Sequence, residues 1–485
     1  MLSGGIRAWT VHGYEFMNIS RTYKTHWWVQ KCRIPGHRIV CLAPASSWRG
    51  KQIMTAITDT SGSVKPRSRL TKQHYIGFLG CWMGWVMDGV DSFIFALVFV
   101  PSMRELLPAS GFEATAPNIA FAGSMMFALF LVGWGLAFIW GPLGDKWGRA
   151  KTLALTIVVY SIFTGAAAFA QDVYQLAVFR FLAGIGVGGE WALAGTFIAE
   201  IWPEDRRAKA GGYLQTGYYV GFFIASALNF TVGAQYGWRA MFLCGLAPVA
   251  IALAVRLMIR EPHKWEKKEV EAKKGKPLRE IFSEEFRQRT LVLTTLLTCS
   301  IVGLWAGAVY APAALTQLAA KAGYAGKEIP QLVSYASMLF SFMTILGCLT
   351  LPLFAEWLGR RKTTGLFFLG MMISILAAFG YLFYQQDSLI SFIVAMAAVG
   401  YFGGNFAVYS IWIPEQYPTT IRATAFAWAI SFGRFIGAGV NFLLGWAVSQ
   451  TGTLGYPVAA TAFAFGIGIL VLPWALETKG RGLPD

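Results

Sequence analysis

Apolar stretches long enough to cross a lipid bilayer recur along almost the whole chain from Tyr75 onward. Hydrocarbon offers the backbone no hydrogen bonds, so such stretches must close their own, as helices of about 20 residues. Twelve spans can be read, over 75–100, 118–141, 152–170, 174–200, 210–233, 239–259, 290–313, 332–354, 364–384, 389–412, 423–448 and 456–476. Composition agrees: 55% of the 485 residues are hydrophobic and 14% charged, too few polar side chains to coat a soluble surface. The fold class expected is an all-α membrane protein held by the lipid bilayer.

Charge fixes the expected orientation. With the N-terminus inside, the inner loops and C-terminal tail hold 22 Lys and Arg, and the outer connections hold 4. Residues 1–74 add twelve more. That asymmetry is the positive-inside signature and puts both termini in the cytoplasm. It also accounts for the formal net charge of +16 without nucleic acid. The six cysteines stand singly, with no CxxC or CxxH spacing, so no metal site, disulfide scaffold or cofactor is expected.

The chain divides into five parts. Residues 1–74 read as a disordered cytoplasmic extension, with 1–53 either over-translated sequence or a tail. Residues 75–259 carry six spans, 260–289 a charge-mixed linker, 290–476 six more spans, and 477–485 a short cytoplasmic tail. The two sets of six match. Glu200, Pro203 and Arg207 recur 215 residues later as Glu415, Pro418 and Arg422. At the same offset Gly188-Gly189-Glu190 pairs with Gly403-Gly404-Asn405. Asp145, Gly148 and Arg149 recur 211 residues later as Glu356, Gly359 and Arg360. Three matches in order indicate a duplicated unit, the design that lets two bundles rock about a midplane site.

The loop Gly141-Pro-Leu-Gly144-Asp145-Lys146-Trp-Gly148-Arg149 resembles the signature between spans two and three of the major facilitator superfamily. Arg180-Phe-Leu-Ala-Gly184-Ile-Gly186-Val-Gly188 resembles that family's span-four motif. Arg260–Trp265 and Glu477-Thr-Lys-Gly-Arg481 resemble motifs of its sugar-porter-like branch. Asp88-Gly-Val-Asp91 in span one is similar to the paired aspartates of proton symporters for organic acids, the aromatic-acid, sialate and lactate carriers. The resemblance covers roughly residues 70–485 and implies two pseudo-symmetric six-helix bundles. Span five lacks the proline of the drug-antiporter motif, which disfavours an efflux antiporter.

Ionisable residues inside spans cost roughly 2.5–3.5 kcal/mol each on insertion scales, so they mark function. Asp88 and Asp91 lie three apart and share a helix face. They suit proton loading, with Asp91 favoured; pairing for structure alone is the other reading. Glu190 is either a third titrating group or a structural partner. Arg180 has two open roles, holding Asp91 or presenting a planar fork to a substrate carboxylate. Arg434 faces no carboxylate in its own half, since Asn405 replaces the counterpart of Glu190. It therefore reads as the anion-binding group, against plain backbone pairing. Asn405, Tyr310 and Tyr409 are expected to line the central cavity. Gly184/Gly188 and Gly217/Gly221 read as helix-packing positions.

Asp145, Arg149, Glu200 and Arg207, with Glu356, Arg360, Glu415 and Arg422, resemble the cytoplasmic salt-bridge network of sugar-porter-like carriers and are expected to latch that face. The resulting expectation is proton-coupled uptake of a small organic anion, a carboxylate, by a monomer in the plasma or inner membrane. A sugar or polyol carrier is the main alternative, and a non-transporting nutrient sensor a weaker one. No HExxH, GxSxG or nucleotide loop appears, so no enzyme is expected.

Overall fold

The computed structural model describes residues 6–11, 14–19, 27–34, 37–44, 70–140, 143, 149–248, 250, 277–418, 421–480 and 484. Two compact units separate near residue 67. The first contains β1 (Ile6–Val11), β2 (Tyr14–Ile19), β3 (Trp27–Ile34) and β4 (His37–Pro44), paired antiparallel in chain order. Val11 faces Tyr14, and Ile34 faces His37. No regular structure is expected from the sequence here. The runs that pair are rich in Trp, Tyr, Val and Ile, which suit strands.

The second unit is helical, with no strand among its described residues. Its N-terminal half comprises α1 (Lys72–Ala109), α2 (Ala116–Gly135), α3 (Arg149–Ala166), α4 (Val173–Val187), α5 (Glu190–Ile201), α6 (Glu204–Leu228) and α7 (Ala234–Cys244). Its C-terminal half comprises α8 (Arg287–Lys321), α9 (Glu328–Leu358), α10 (Arg360–Ile375), α11 (Leu389–Gly403), α12 (Ala407–Trp412), α13 (Arg422–Thr451), α14 (Gly455–Ala460) and α15 (Phe463–Val471).

Ten helical stretches among the described residues are long and apolar enough to span. The fourth expected span is divided between α4 and α5. The sixth begins after Gly237, whose φ of 79° turns the chain back, and then runs beyond the described residues. Twelve spans fit this arrangement.

The repeat is visible in the packing. α2 packs on α4 as α9 packs on α11, and α1 on α6 as α8 on α13. The halves join through α2 against α13 and, symmetrically, α9 against α6. The Gly-Gly pairs matched in sequence do the same work in both halves. Span four breaks at Gly188-Gly189, between α4 and α5. Span ten breaks at Gly404–Phe406, a 3-10 turn between α11 and α12. Discontinuous helices at equivalent places mark the centre of repeat-built transporters.

Close helix approach is set by glycine. A Cβ on Gly221 of α6 would lie 2.1 Å from the Val86 carbonyl oxygen of α1, and one on Gly184 would lie 2.2 Å from that of Phe130. Only the smallest residue permits such backbone contact.

Candidate functional site

Five ionisable residues lie in the middle of the bundle with at most 2% of their surface exposed: Asp88, Asp91, Arg180, Glu190 and Arg434. Arg180, from α4, places its guanidinium 4.2 Å from the Phe130 ring centre and 5.0 Å from that of Phe95. None of its three nitrogens has a hydrogen-bond partner, and its electrostatic counterpart is Asp91. Asp91 accepts a hydrogen bond from Thr164 of α3 on one oxygen, and its other oxygen is unpaired. Asp88, one turn earlier on α1, faces Glu190 and Tyr160 instead. The adjacent aspartates thus belong to different surroundings.

Arg434, from α13, crosses to the other half and lies 3.4 Å over the Trp134 ring. Its Nε and Nη1 have no hydrogen-bond partner. It borders a small, partly open chamber between the halves, with a free volume of about 10 Å³. The N-terminal half supplies Trp85, Trp134, Trp191, Gln215, Tyr218 and Tyr219; the C-terminal half supplies Leu304, Trp305, Phe406 and Arg434. Trp85 stacks on Trp191 with 5.7 Å between ring centres, and Trp134 meets Trp305 edge-on at 5.5 Å. The indole N–H groups of Trp85 and Trp134 and the Tyr218 hydroxyl are buried and unpaired. The chamber thus combines flat apolar walls with one cation and several unused hydrogen-bond donors. That chemistry suits a small planar anion.

The other expected lining residues sit elsewhere. Tyr310 bonds to Ser124 at 2.7 Å, Tyr409 to Ser300 at 2.8 Å, and the Asn405 amide donates to the Phe402 carbonyl at 3.0 Å. None of the three borders the chamber. Trp85, Trp134, Trp191, Gln215 and Tyr218 were not singled out from sequence. The available signal was indole and amide groups one turn from the mid-span charges: Trp85 precedes Asp88 by three residues, and Trp191 follows Glu190 directly.

Contacts between halves occur on both sides of the chamber. On one side Ser124 meets Tyr310, and Asn229 donates to Ser334 at 3.0 Å. On the other Trp191 donates to Ser410 at 3.3 Å, and Lys209 lies 3.7 Å from Glu356. Among the described residues, the halves thus touch on both sides of the chamber.

Of the expected latch, Asp145 and the side chains of Arg149, Glu200 and Arg207 lie outside the described residues. In the C-terminal half Arg360 grips Glu415 with two hydrogen bonds of 2.6 and 3.0 Å. Arg422 donates to the carbonyls of Pro414, Tyr417 and Pro484, among other partners. Glu477 accepts from the backbone N–H groups of Arg360, Arg361, Thr478 and Lys479, and so caps α10 from the tail. Burial opposes its charge, but the four donors outweigh burial and hold its carboxyl below the usual carboxylate range. Gly359 makes room: its φ is 88°, and a Cβ there would lie 2.7 Å from Glu477 Oε2.

Comparisons with known proteins identify the family and the fold. The chain is 29% identical over 429 residues to a "Probable 4-methylmuconolactone transporter" of Cupriavidus pinatubonensis, covering 84% of this chain and 92% of that one. It is 26% identical over 415 residues to a cis,cis-muconate transport protein of Acinetobacter baylyi, covering 84% and 92%. Against the sialic acid transporter NanX of Escherichia coli it is 26% identical over 393 residues, covering 80% and 87%. The fold matches a partially occluded inward-open structure of the xylose transporter XylE from E. coli. The TM-score is 0.66 at 17% identity, over 85% of this chain and all of that one. The family model described as Major Facilitator Superfamily matches residues 81–441, and the chain belongs to that family as a multi-pass membrane transporter.

Proposed function

We propose that this transporter takes up a small organic anion, a flat carboxylate, together with one or more protons. It does so by alternating access in the plasma or inner membrane, as a single chain with both termini cytoplasmic. The carrying observation is Arg434: a buried guanidinium with two unpaired nitrogens, set among indole rings where the two halves meet. An unpaired buried cation is costly unless a ligand anion completes it. Muconate and sialic acid, named for two relatives, are both carboxylates.

Proton coupling is assigned to Asp91, opposite Arg180. Substrate entry favours transfer of Arg180 from Asp91 toward the anion, and Asp91 then takes a proton. Opening either face requires breaking one set of contacts between the halves while the other holds. The latch centred on Arg360 and Glu415 biases the cytoplasmic side.

A sugar or polyol carrier is the competing reading, motivated by the Glu477–Gly480 motif and the shared fold with the xylose transporter. Purified protein in proteoliposomes separates the two. Under an inward proton gradient it should accumulate labelled benzoate, nicotinate or cis,cis-muconate but not xylose. A protonophore should collapse accumulation, and Asp91→Asn should abolish it while sparing exchange. Undiminished accumulation in Asp91→Asn removes Asp91 as the coupling group. Accumulation of xylose alone removes the anion assignment.

A further inference from the structure

Glu190 of α5 reaches α1 at Gly84, one turn before Asp88 on the same helix face. A Cβ at Gly84 would lie 1.7 Å from Glu190 Oε1, so any larger residue would displace that carboxyl. Both acids are fully buried, and none of their four oxygens has a hydrogen-bond partner. Tyr160 of α3 is equally buried, its hydroxyl is unpaired, and it faces Asp88.

The other titratable groups turned toward this pair are Cys81 toward Glu190, and Asp91, Tyr218 and Arg434 toward Asp88. No hydrogen bond from Arg180 or Arg434 reaches either carboxyl. The central charges are three acids and two arginines, one negative charge in excess. Low-dielectric surroundings penalise both the excess charge and two ionised carboxylates side by side.

We propose that Asp88 and Glu190 hold one proton between them in the substrate-free protein, as a resident proton site distinct from Asp91 and Arg180. The proton comes from water. The protonated carboxyl then lies beside the remaining carboxylate, with the buried Tyr160 hydroxyl facing Asp88. The five central residues then sum to zero charge, and Asp91 is left free to exchange its own proton with substrate. The role builds on the proton-coupled reading, but the site itself does not, and its test involves no transport.

Infrared spectroscopy of the purified full-length protein, substrate-free at neutral pH in sodium-free buffer, reads it directly. A carboxylic-acid C=O band should be present and should be lost in Asp88→Asn and in Glu190→Gln alike, because one remaining carboxylate balances the arginines. Gly84→Ala keeps both acids but separates them, and should shift or remove the band. That arm stands even if one of the other variants fails to fold. Absence of the band in wild type, its unchanged survival in any of the three variants, or its abolition by added sodium would overturn the proposal; the last outcome would make the site one for a metal cation.

Discussion

Replacing Arg434 with Gln separates a binding role from a structural one, because the two roles move affinity and stability in opposite directions. The guanidinium is 2% exposed, has two unpaired nitrogens and stacks on Trp134. A bound carboxylate can take two charge-assisted hydrogen bonds from it, each worth about 1.5–3 kcal/mol. Losing the fork should cost about 3–5 kcal/mol, or roughly two to three and a half decades in Kd.

Without ligand the balance reverses. An unpaired buried charge costs several kcal/mol, and the cation–π contact with Trp134 returns about 2 kcal/mol at most. Arg434→Gln should therefore melt higher than wild type in the absence of ligand, yet gain no stability from nicotinate or benzoate. Thermal-shift measurements in detergent with and without each acid supply both readings, and calorimetry supplies Kd. Wild-type affinity combined with a lowered melting point in the absence of ligand would refute the reasoning and make Arg434 a packing residue.

Three further outcomes follow from the geometry. Gly221→Ala puts a methyl 2.1 Å from the Val86 carbonyl oxygen, which cannot rotate away; it should cost about 1–3 kcal/mol by overpacking, read as a lower melting temperature. Arg360→Lys keeps the charge but loses the two-pronged grip on Glu415; a double-mutant cycle with Glu415→Gln should give a coupling of about 1–3 kcal/mol. Glu477 has a folded-state pKa below its unfolded value, so its contribution to stability is present above the ordinary carboxylate pKa of about 4.3 and is lost as pH falls through the folded value. Protection factors at the Arg360 and Arg361 amides, corrected for the intrinsic slowing of exchange in acid, should therefore fall as pH drops in wild type, and Glu477→Gln should flatten that dependence.

Spans and repeat were legible because each follows from a rule that acts along the chain. Bilayer thickness sets span length, and the matched Gly-Gly pairs at 188–189 and 403–404 fall where spans four and ten break. The central charges were legible as well, since hydrocarbon makes any charge conspicuous.

Most of their partners were not, because partnership depends on how helices cross. Sequence favoured Asp91 and offered Arg180 as its partner, but did not reveal that Glu190 reaches α1 at Gly84, one turn before Asp88, or that Thr164 donates to Asp91. Tyr310 and Tyr409 looked like cavity residues until Ser124 and Ser300 accounted for their hydroxyls. Trp85, Trp134 and Trp191 were hidden by abundance, one indole among 19 tryptophans carrying little information. Arg422 mirrors Arg207 in sequence, but its described hydrogen bonds go to carbonyls that a pattern of charges does not reveal.

The 3-10 turn at Gly404–Phe406 has a consequence for how the halves part. There the Ala407 N–H is directed to the Gly404 and Asn405 carbonyls, so the Gly403 carbonyl lacks the partner an α-helix would give it. The Tyr219 hydroxyl of the opposite half donates to that carbonyl at 3.3 Å. Separating the halves removes Tyr219, and straightening span ten restores the Ala407 N–H. The Ala407 N–H then leaves the Gly404 and Asn405 carbonyls for that of Gly403, which exchanges a donor from the opposite half for one in its own. Helix shape and bundle separation are linked through that one carbonyl.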